Sequence, residues 1–121
     1  MLQHRTVYLF FTDFLIHLAN STNNWYNLRM KWEVNISRKA LKGLEKLPNP
    51  VKAQLFFLLK DIEISGPIRG NWPNYSKLGK NRHHCHIKKG HPTYVAVWEK
   101  QDDNIKIVEV VYAGSHEKAP Y

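Results

Sequence analysis

The residues best suited to chemistry lie in the segment 82–88, where three histidines and a cysteine stand between two cations. Its apolar residues Cys85 and Ile87 alternate with polar ones, which is the period of a half-buried β-strand. Because alternate residues of a strand share a face, these two are predicted to face the core. The side chains predicted to project together from the opposite, solvated face are Arg82, His84, His86 and Lys88.

Four cationic or protonatable groups on one face repel one another unless an anion lies among them, and a phosphodiester backbone supplies one. The strand belongs to a wider basic region, because no Asp or Glu occurs from Ile64 to Trp98. The alternative for this basic region is a solvated face without a partner, and the alternative for the aromatic residues Trp72 and Tyr75 within it is packing in the core. Further RNA contacts are predicted for the basic Arg69, Lys80 and Lys89, and base stacking for Trp72 and Tyr75.

The same segment also offers zinc-type ligands, with His83 and His91 adding to the set. However, a strand points Cys85 away from His84 and His86, and the chain has no second cysteine. The sequence therefore predicts no metal site. A single cysteine also excludes an internal disulfide, which favours a reducing, cytoplasmic location.

The overall composition agrees with a small polyanion-binding domain. The chain has 121 residues, and 18 Lys and Arg against 10 Asp and Glu give a formal charge of +8. Such an excess predicts attraction to nucleic acid or to an acidic partner. The longest apolar run, 7–19, contains Asp13 and His17 and is shorter than the roughly 18 residues that a membrane helix needs. No membrane association is predicted.

The chain divides near Met30. Residues 1–29 combine the apolar run with the polar stretch 20–24. They are expected to form a peripheral N-terminal helix or to be an extension from an upstream start codon. A signal peptide is disfavoured, because a strong basic region and a clean cleavage site are missing. The compact domain is predicted to cover residues 30–121.

The helices and strands that position the basic strand are predicted from the spacing of apolar residues and from the capping and turn residues between them. Alternation at 32–36 predicts a strand, and Ser37 is suited to cap the helix that follows, with its apolar stripe from Ala40 to Leu47. Asn49 is predicted to cap a second helix, which Ser65 ends. After a loop over 66–81, with a short strand at 76–78, strands are predicted at 82–88, 93–99 and 105–112. The two helices should pack as a hairpin in an α+β domain.

This order and four local motifs resemble the RelE/ParE toxin superfamily over about residues 31–121. The first helix, 37–48, is similar to the family pattern S-x-x-A-x-K-x-L-x-K-L-P. The pair Lys77 and Leu78 precedes the basic strand, and Tyr94-Val-Ala-Val-Trp-Glu99 follows it. The closing segment 112–121 is similar to the family's G-x-H-x-x-x-Y ending.

The resemblance implies a two-helix hairpin on a twisted, mainly antiparallel sheet in β-α-α-β-β-β order. It also implies a toxin with a cognate acidic antitoxin. RelE-like members cleave mRNA on the ribosome without metal or other cofactor: the ribose 2′-OH attacks the adjacent phosphate and the 5′-oxygen leaves. Such a reaction needs a base, an acid and cations at the crowded phosphate.

Carried over residue by residue, the resemblance implies a phosphate contact for Lys77 and catalytic positions for His84 and His86. His116 matches the histidine of the closing motif and becomes the preferred general acid or base. Tyr121 matches the terminal aromatic residue that stacks on a base or orients the nucleotide.

One departure leaves the activity open. Many nuclease members carry an arginine directly after the tyrosine of the middle strand, and this chain has Val95 there. Arg82 on the neighbouring strand is a candidate replacement. Three hypotheses follow: an endoribonuclease, a ParE-like inhibitor of a protein such as DNA gyrase, and an inactive relative that binds RNA or an antitoxin. The sequence does not indicate the oligomeric state.

Overall fold

The computed structural model describes residues 31–102, 104 and 106–121, so the expectations for residues 1–29 lie outside the described residues. The elements are β1 (Glu33–Ile36), α1 (Arg38–Glu45), α2 (Asn49–Ser65), β2 (Ser76–Leu78), β3 (Arg82–Lys88), β4 (Tyr94–Asp102), β5 (Ile107–Ser115) and a 3₁₀ turn (His116–Lys118). This order confirms the α+β prediction and the short strand predicted at 76–78.

Local capping explains where the helices begin and end. The Ser37 hydroxyl accepts a hydrogen bond of 3.1 Å from the Ala40 amide, which confirms the predicted cap of α1. The prediction that Asn49 caps α2 is wrong: Asn49 is already helical, and the cap is Pro48, which has no side chain able to accept the bond. Gly66 ends α2 with φ of +94°, a backbone conformation that favours glycine.

The strands form one mixed sheet in the order β1-β5-β4-β3-β2. β1 pairs in parallel with β5, and every other pairing is antiparallel, as the mainly antiparallel prediction requires. Both helices cover the same face, since α1 contacts β5 and α2 contacts β3 and β1. The buried core includes Leu44, Leu55, Leu59 and Ile62 from the helices and Val34, Cys85, Ala96, Trp98 and Val110 from the strands.

Gly43 allows α1 to lie directly on the sheet. A Cβ at this position would collide with the Ala113 carbonyl oxygen of β5. The sheet backbone cannot move aside as a flexible side chain would. α1 can therefore lie against β5 at this point because residue 43 has no side chain.

The predicted alternation of β3 is confirmed from Arg82 to His86. Cys85 is fully buried in the core on the helix-covered face, whereas His84 and His86 lie on the opposite face. The β3–β4 register shifts between His86 and Lys88, and Lys88 pairs with Tyr94, which packs against the helix-covered core. The prediction that Lys88 shares a face with His84 and His86 is therefore wrong, because the bulge interrupts the alternation. The opposite face is not solvated along its whole length: the prediction is wrong for His84, which is only 8% exposed because the Tyr121 ring lies against it, whereas His86 is partly exposed.

Candidate functional site

Four rings meet on the face of the sheet opposite the helices. The His84 ring centroid lies 4.5 Å from that of Tyr121 and 6.0 Å from that of His86. The centroids of His86 and His116 are 5.4 Å apart, and those of His116 and Tyr121 are 6.1 Å apart. We call these four residues the ring cluster. The fold brings together residues from β3, the 3₁₀ turn and the final residue of the chain.

The neighbouring strand provides an apolar floor. In the β3–β4 register, His84 pairs with Val97 and His86 pairs with Val95, and both valines are fully buried. The two valines exclude water from one side of the imidazoles, and contact with the neighbouring strand limits how far the rings can move. Val95 therefore contributes packing and no charge.

The end of β5 sets the position of His116. The Tyr112 hydroxyl donates a 2.7 Å hydrogen bond to the Ser115 carbonyl, and the His116 amide donates a 2.8 Å bond to the Thr93 carbonyl. A Cβ at Gly114 would lie 2.7 Å from the Tyr112 hydroxyl oxygen. Glycine at this position therefore lets the Tyr112 ring reach across to the turn that carries His116.

Electrostatics favours neutral imidazoles on β3. Burial lowers the pKa of His84, a hydrogen bond to the Ser76 backbone raises it, and the charge of His116 lowers it. Burial also lowers the pKa of His86, as do the charges of His116, His84 and Lys89. Both imidazoles can therefore accept a proton near neutral pH. Burial raises the pKa of Tyr121, so its hydroxyl remains protonated.

Lys77 is not brought into the ring cluster. On β2 it pairs with His83, and its charge lowers the pKa of that histidine on the helix-covered face. The β2 residue on the side of the ring cluster is Ser76, which pairs with His84 and lies 3.0 Å from it, hydroxyl oxygen to Nδ1. The sequence analysis missed Ser76, although a hairpin turn after Leu78 would have placed the two residues opposite each other.

Two of the predicted RNA-binding cations already have a carboxylate partner. Arg82 forms an ion pair with Glu99 across the β3–β4 pair, with 2.7 Å between Nε and the carboxylate. Arg69 pairs with Asp61 at 2.9 Å. Their charges are therefore largely compensated within the domain, and Arg82 does not stand as a free cation.

The lysines of the predicted set have a different environment. Lys80, Lys88 and Lys89 are exposed, and within the described part of the chain they form no ion pair. Lys88 and Lys89 come after His86 and Ile87, and the charge of Lys89 contributes to the lowered pKa of His86. These two lysines are exposed positive charges at the end of β3 and just beyond it.

The two aromatic residues predicted to stack on bases pack against the core instead. The Trp72 indole donates a 2.9 Å hydrogen bond to Asp61. The hydroxyl oxygen of Tyr75 lies 2.7 Å from Nδ1 of His83. Both rings are partly buried against the core cluster. Trp72 and Tyr75 are therefore core-packing residues, which was the alternative to base stacking.

The remaining buried histidine belongs to this packing. His83 packs against both Tyr75 and Trp98, at centroid distances of 5.9 Å from each, and the two partner rings are 6.2 Å apart. Burial, with the charges of Lys77 and Lys100, lowers the pKa of His83 to about 4, so it stays neutral. Among residues 31–102, 104 and 106–121, no three His, Cys, Asp or Glu side chains are arranged to hold a metal ion.

Comparisons of the chain with protein-family models, curated proteins and solved structures found no match. Of the helices within the described ranges, none is both long and apolar enough to cross a membrane.

Proposed function

We propose that this protein is an endoribonuclease whose active site is the ring cluster. The observation that supports the proposal is the grouping of three imidazoles and a phenol, with ring-centroid distances of 4.5 to 6.1 Å between neighbours. Cleavage through the ribose 2′-OH requires one group that accepts a proton and another that donates one. Histidines perform both tasks near neutral pH, and the reaction needs no cofactor.

The environments of the histidines divide these roles. A neutral His84 or His86 takes the proton of the 2′-OH, whose oxygen then bonds to the adjacent phosphorus. The bond from phosphorus to the 5′-oxygen breaks, and His116 donates a proton to that oxygen. The products are a 2′,3′-cyclic phosphate and a 5′-hydroxyl. The lowered pKa values of His84 and His86 suit the accepting role, and the exposed His116 can reach a leaving group.

Binding is assigned to the groups beside the three histidines. Tyr121 is half exposed, and its ring is available to a nucleobase on the side away from His84. Lys88 and Lys89 contact neighbouring phosphates, and Lys80 extends the basic surface from the β2–β3 turn. In this proposal Arg69, Arg82, Trp72, Tyr75 and Lys77 have no direct role at the scissile phosphate.

The biological setting follows from the resemblance to the RelE/ParE superfamily. It implies a cytoplasmic toxin that cuts ribosome-bound mRNA and is silenced by a cognate antitoxin. The formal charge of +8 supports an acidic antitoxin, since opposite charge speeds association and selects the partner. A small acidic open reading frame beside the gene would support this setting.

A second candidate is inhibition of a protein target such as DNA gyrase, as in ParE-like members. It is favoured by Val95, whose buried side chain offers no positive charge to a phosphate. It is also favoured by apolar side chains left exposed around α2, with Phe57 at 63%, Ile64 at 47% and Ile68 at 65% exposure. Exposed apolar residues of this kind are typical of protein-binding surfaces.

Induced expression in bacteria separates the two candidates. The endoribonuclease predicts rapid loss of translation and mRNA cuts at defined codon positions, detected by primer extension. Purified protein with translating ribosomes should leave cyclic-phosphate ends at the same positions. Intact mRNA together with induction of the SOS response would overturn the nuclease proposal in favour of the second candidate.

A further inference from the structure

Ser76, on β2, contacts the ring cluster through a side-chain hydrogen bond, and no motif assigns it a role. It lies directly opposite His84 in the antiparallel β2–β3 register. Its hydroxyl oxygen is 3.0 Å from Nδ1 of His84. Ser76 is exposed, whereas His84 is only 8% exposed, so the contact joins an accessible hydroxyl to a confined ring.

A hydrogen bond at one imidazole nitrogen determines what the other nitrogen can do. A neutral imidazole carries one proton, and the nitrogen without it is the base. The hydroxyl oxygen of Ser76, 3.0 Å from Nδ1 of His84, can accept a hydrogen bond from Nδ1–H. In that arrangement the ring proton is on Nδ1 and Nε2 carries none.

The opposite side of the ring is fixed by packing. Tyr121 lies against His84 with a centroid distance of 4.5 Å and an interplanar angle of 52°. Val97, the cross-strand partner of His84 on β4, is fully buried. The ring thus has one hydrogen-bonded nitrogen and little room to rotate.

We infer that Ser76 is a positioning residue that holds His84 in the Nδ1–H tautomer and leaves Nε2 free to take the proton of the 2′-OH. Its effect on RNA cleavage rests on the proposed function. Its effect on the tautomer does not, so the two can be tested separately.

The test uses the full chain labelled with ¹⁵N-histidine, and NMR of the ring nitrogens reports the tautomer of His84 near pH 8, where its imidazole is neutral. The variants are Ser76→Ala, which removes the hydroxyl, and Ser76→Thr, which keeps it. Ser65→Ala is the matched control, because Ser65 is an exposed serine at the end of α2. The spectra also show directly whether each variant is folded.

We expect Nδ1–H for His84 in the wild type, Ser76→Thr and Ser65→Ala, and a mixture of tautomers in Ser76→Ala. An unchanged tautomer in Ser76→Ala, or an Nε2–H wild type, would overturn the inference. In the cleavage assay Ser76→Ala should lower kcat about tenfold with little change in KM, and Ser76→Thr should restore it. A wild type that shows the expected tautomers but cuts no RNA would instead refute the proposed function alone.

Discussion

The imidazole rings of His86 and His116 lie 5.4 Å apart, centroid to centroid, and approach each other edge to face. One is held by β3 over the buried Val95 and the other by the turn after β5. The charge of His116 lowers the pKa of His86. A charged His116 therefore favours a neutral His86 beside it, and a neutral imidazole can accept a proton.

Replacing His116 tests the acid. We expect His116→Ala to lower the rate of RNA cleavage by about 10²–10⁴-fold, the usual contribution of a positioned acid or base. Its fold should persist, because the side chain is exposed. His91→Ala is the control, since His91 is an exposed histidine outside the ring cluster. Equal cleavage rates for both variants would remove His116 from the mechanism.

The pH dependence tests the base. The base must be neutral, so activity falls when pH drops through its pKa, and burial keeps the pKa of His84 and His86 below the ordinary value of 6.5. We therefore expect the acid limb of kcat/KM to have its midpoint below pH 6.5. The measurement is a pH series with an RNA oligonucleotide. An acid limb centred above 6.5 would show that neither imidazole acts as the neutral base described here.

The lysines after His86 should determine the salt dependence of RNA binding. Each phosphate contact to a single strand contributes about 0.7 to the slope of log K against log salt. Lys88→Ala with Lys89→Ala should therefore reduce the slope by about 1.4, as measured by fluorescence anisotropy with a labelled RNA.

The control removes the same charge elsewhere. Lys39 and Lys46 are exposed lysines at the two ends of α1, on the helix-covered side of the sheet. Lys39→Ala with Lys46→Ala should leave the slope nearly unchanged. Equal effects of the two double variants would mean that RNA responds to net charge and not to this surface.

The packing of α1 on β5 gives a test of the fold. Gly43→Ala places a Cβ against the Ala113 carbonyl oxygen, and we expect it to lower the free energy of unfolding by about 2 kcal/mol. Gly70→Ala is the control, because nothing lies within 4 Å of a Cβ there. Urea denaturation measures both. A Gly43→Ala midpoint equal to that of Gly70→Ala would contradict the close approach.

The sequence predicted the structure best for β3, whose alternate residues face the core and the opposite side of the sheet. Cys85 and Ile87 indicated the face of β3 correctly, because burial of apolar side chains imposes a period of two. The end of β5 was predicted less accurately: a strand was predicted at 105–112, but β5 runs to Ser115. Its pairing with β4 extends it through Gly114, a residue with low strand propensity.

The site could be predicted only in part, because it depends on register. Which of Ser76 and Lys77 faces His84 is decided by the length of the β2–β3 turn, and a shift of one residue exchanges them. The ion pair of Arg82 with Glu99 joins residues that are distant in sequence, so charge counting along 64–98 could not reveal it. His116 and Tyr121 were indicated by the resemblance, and the composition of the chain gave no sign of their proximity.

The burial of Cys85 has a practical consequence for spectroscopy. The only thiol of the chain is fully enclosed, and burial raises its pKa to about 12, so it is almost never a thiolate at neutral pH. Maleimide dyes and spin labels react with exposed thiolates. A cysteine introduced at the exposed Lys118 would therefore be labelled selectively without removing the native one, so distance changes near the histidines could be followed as RNA binds.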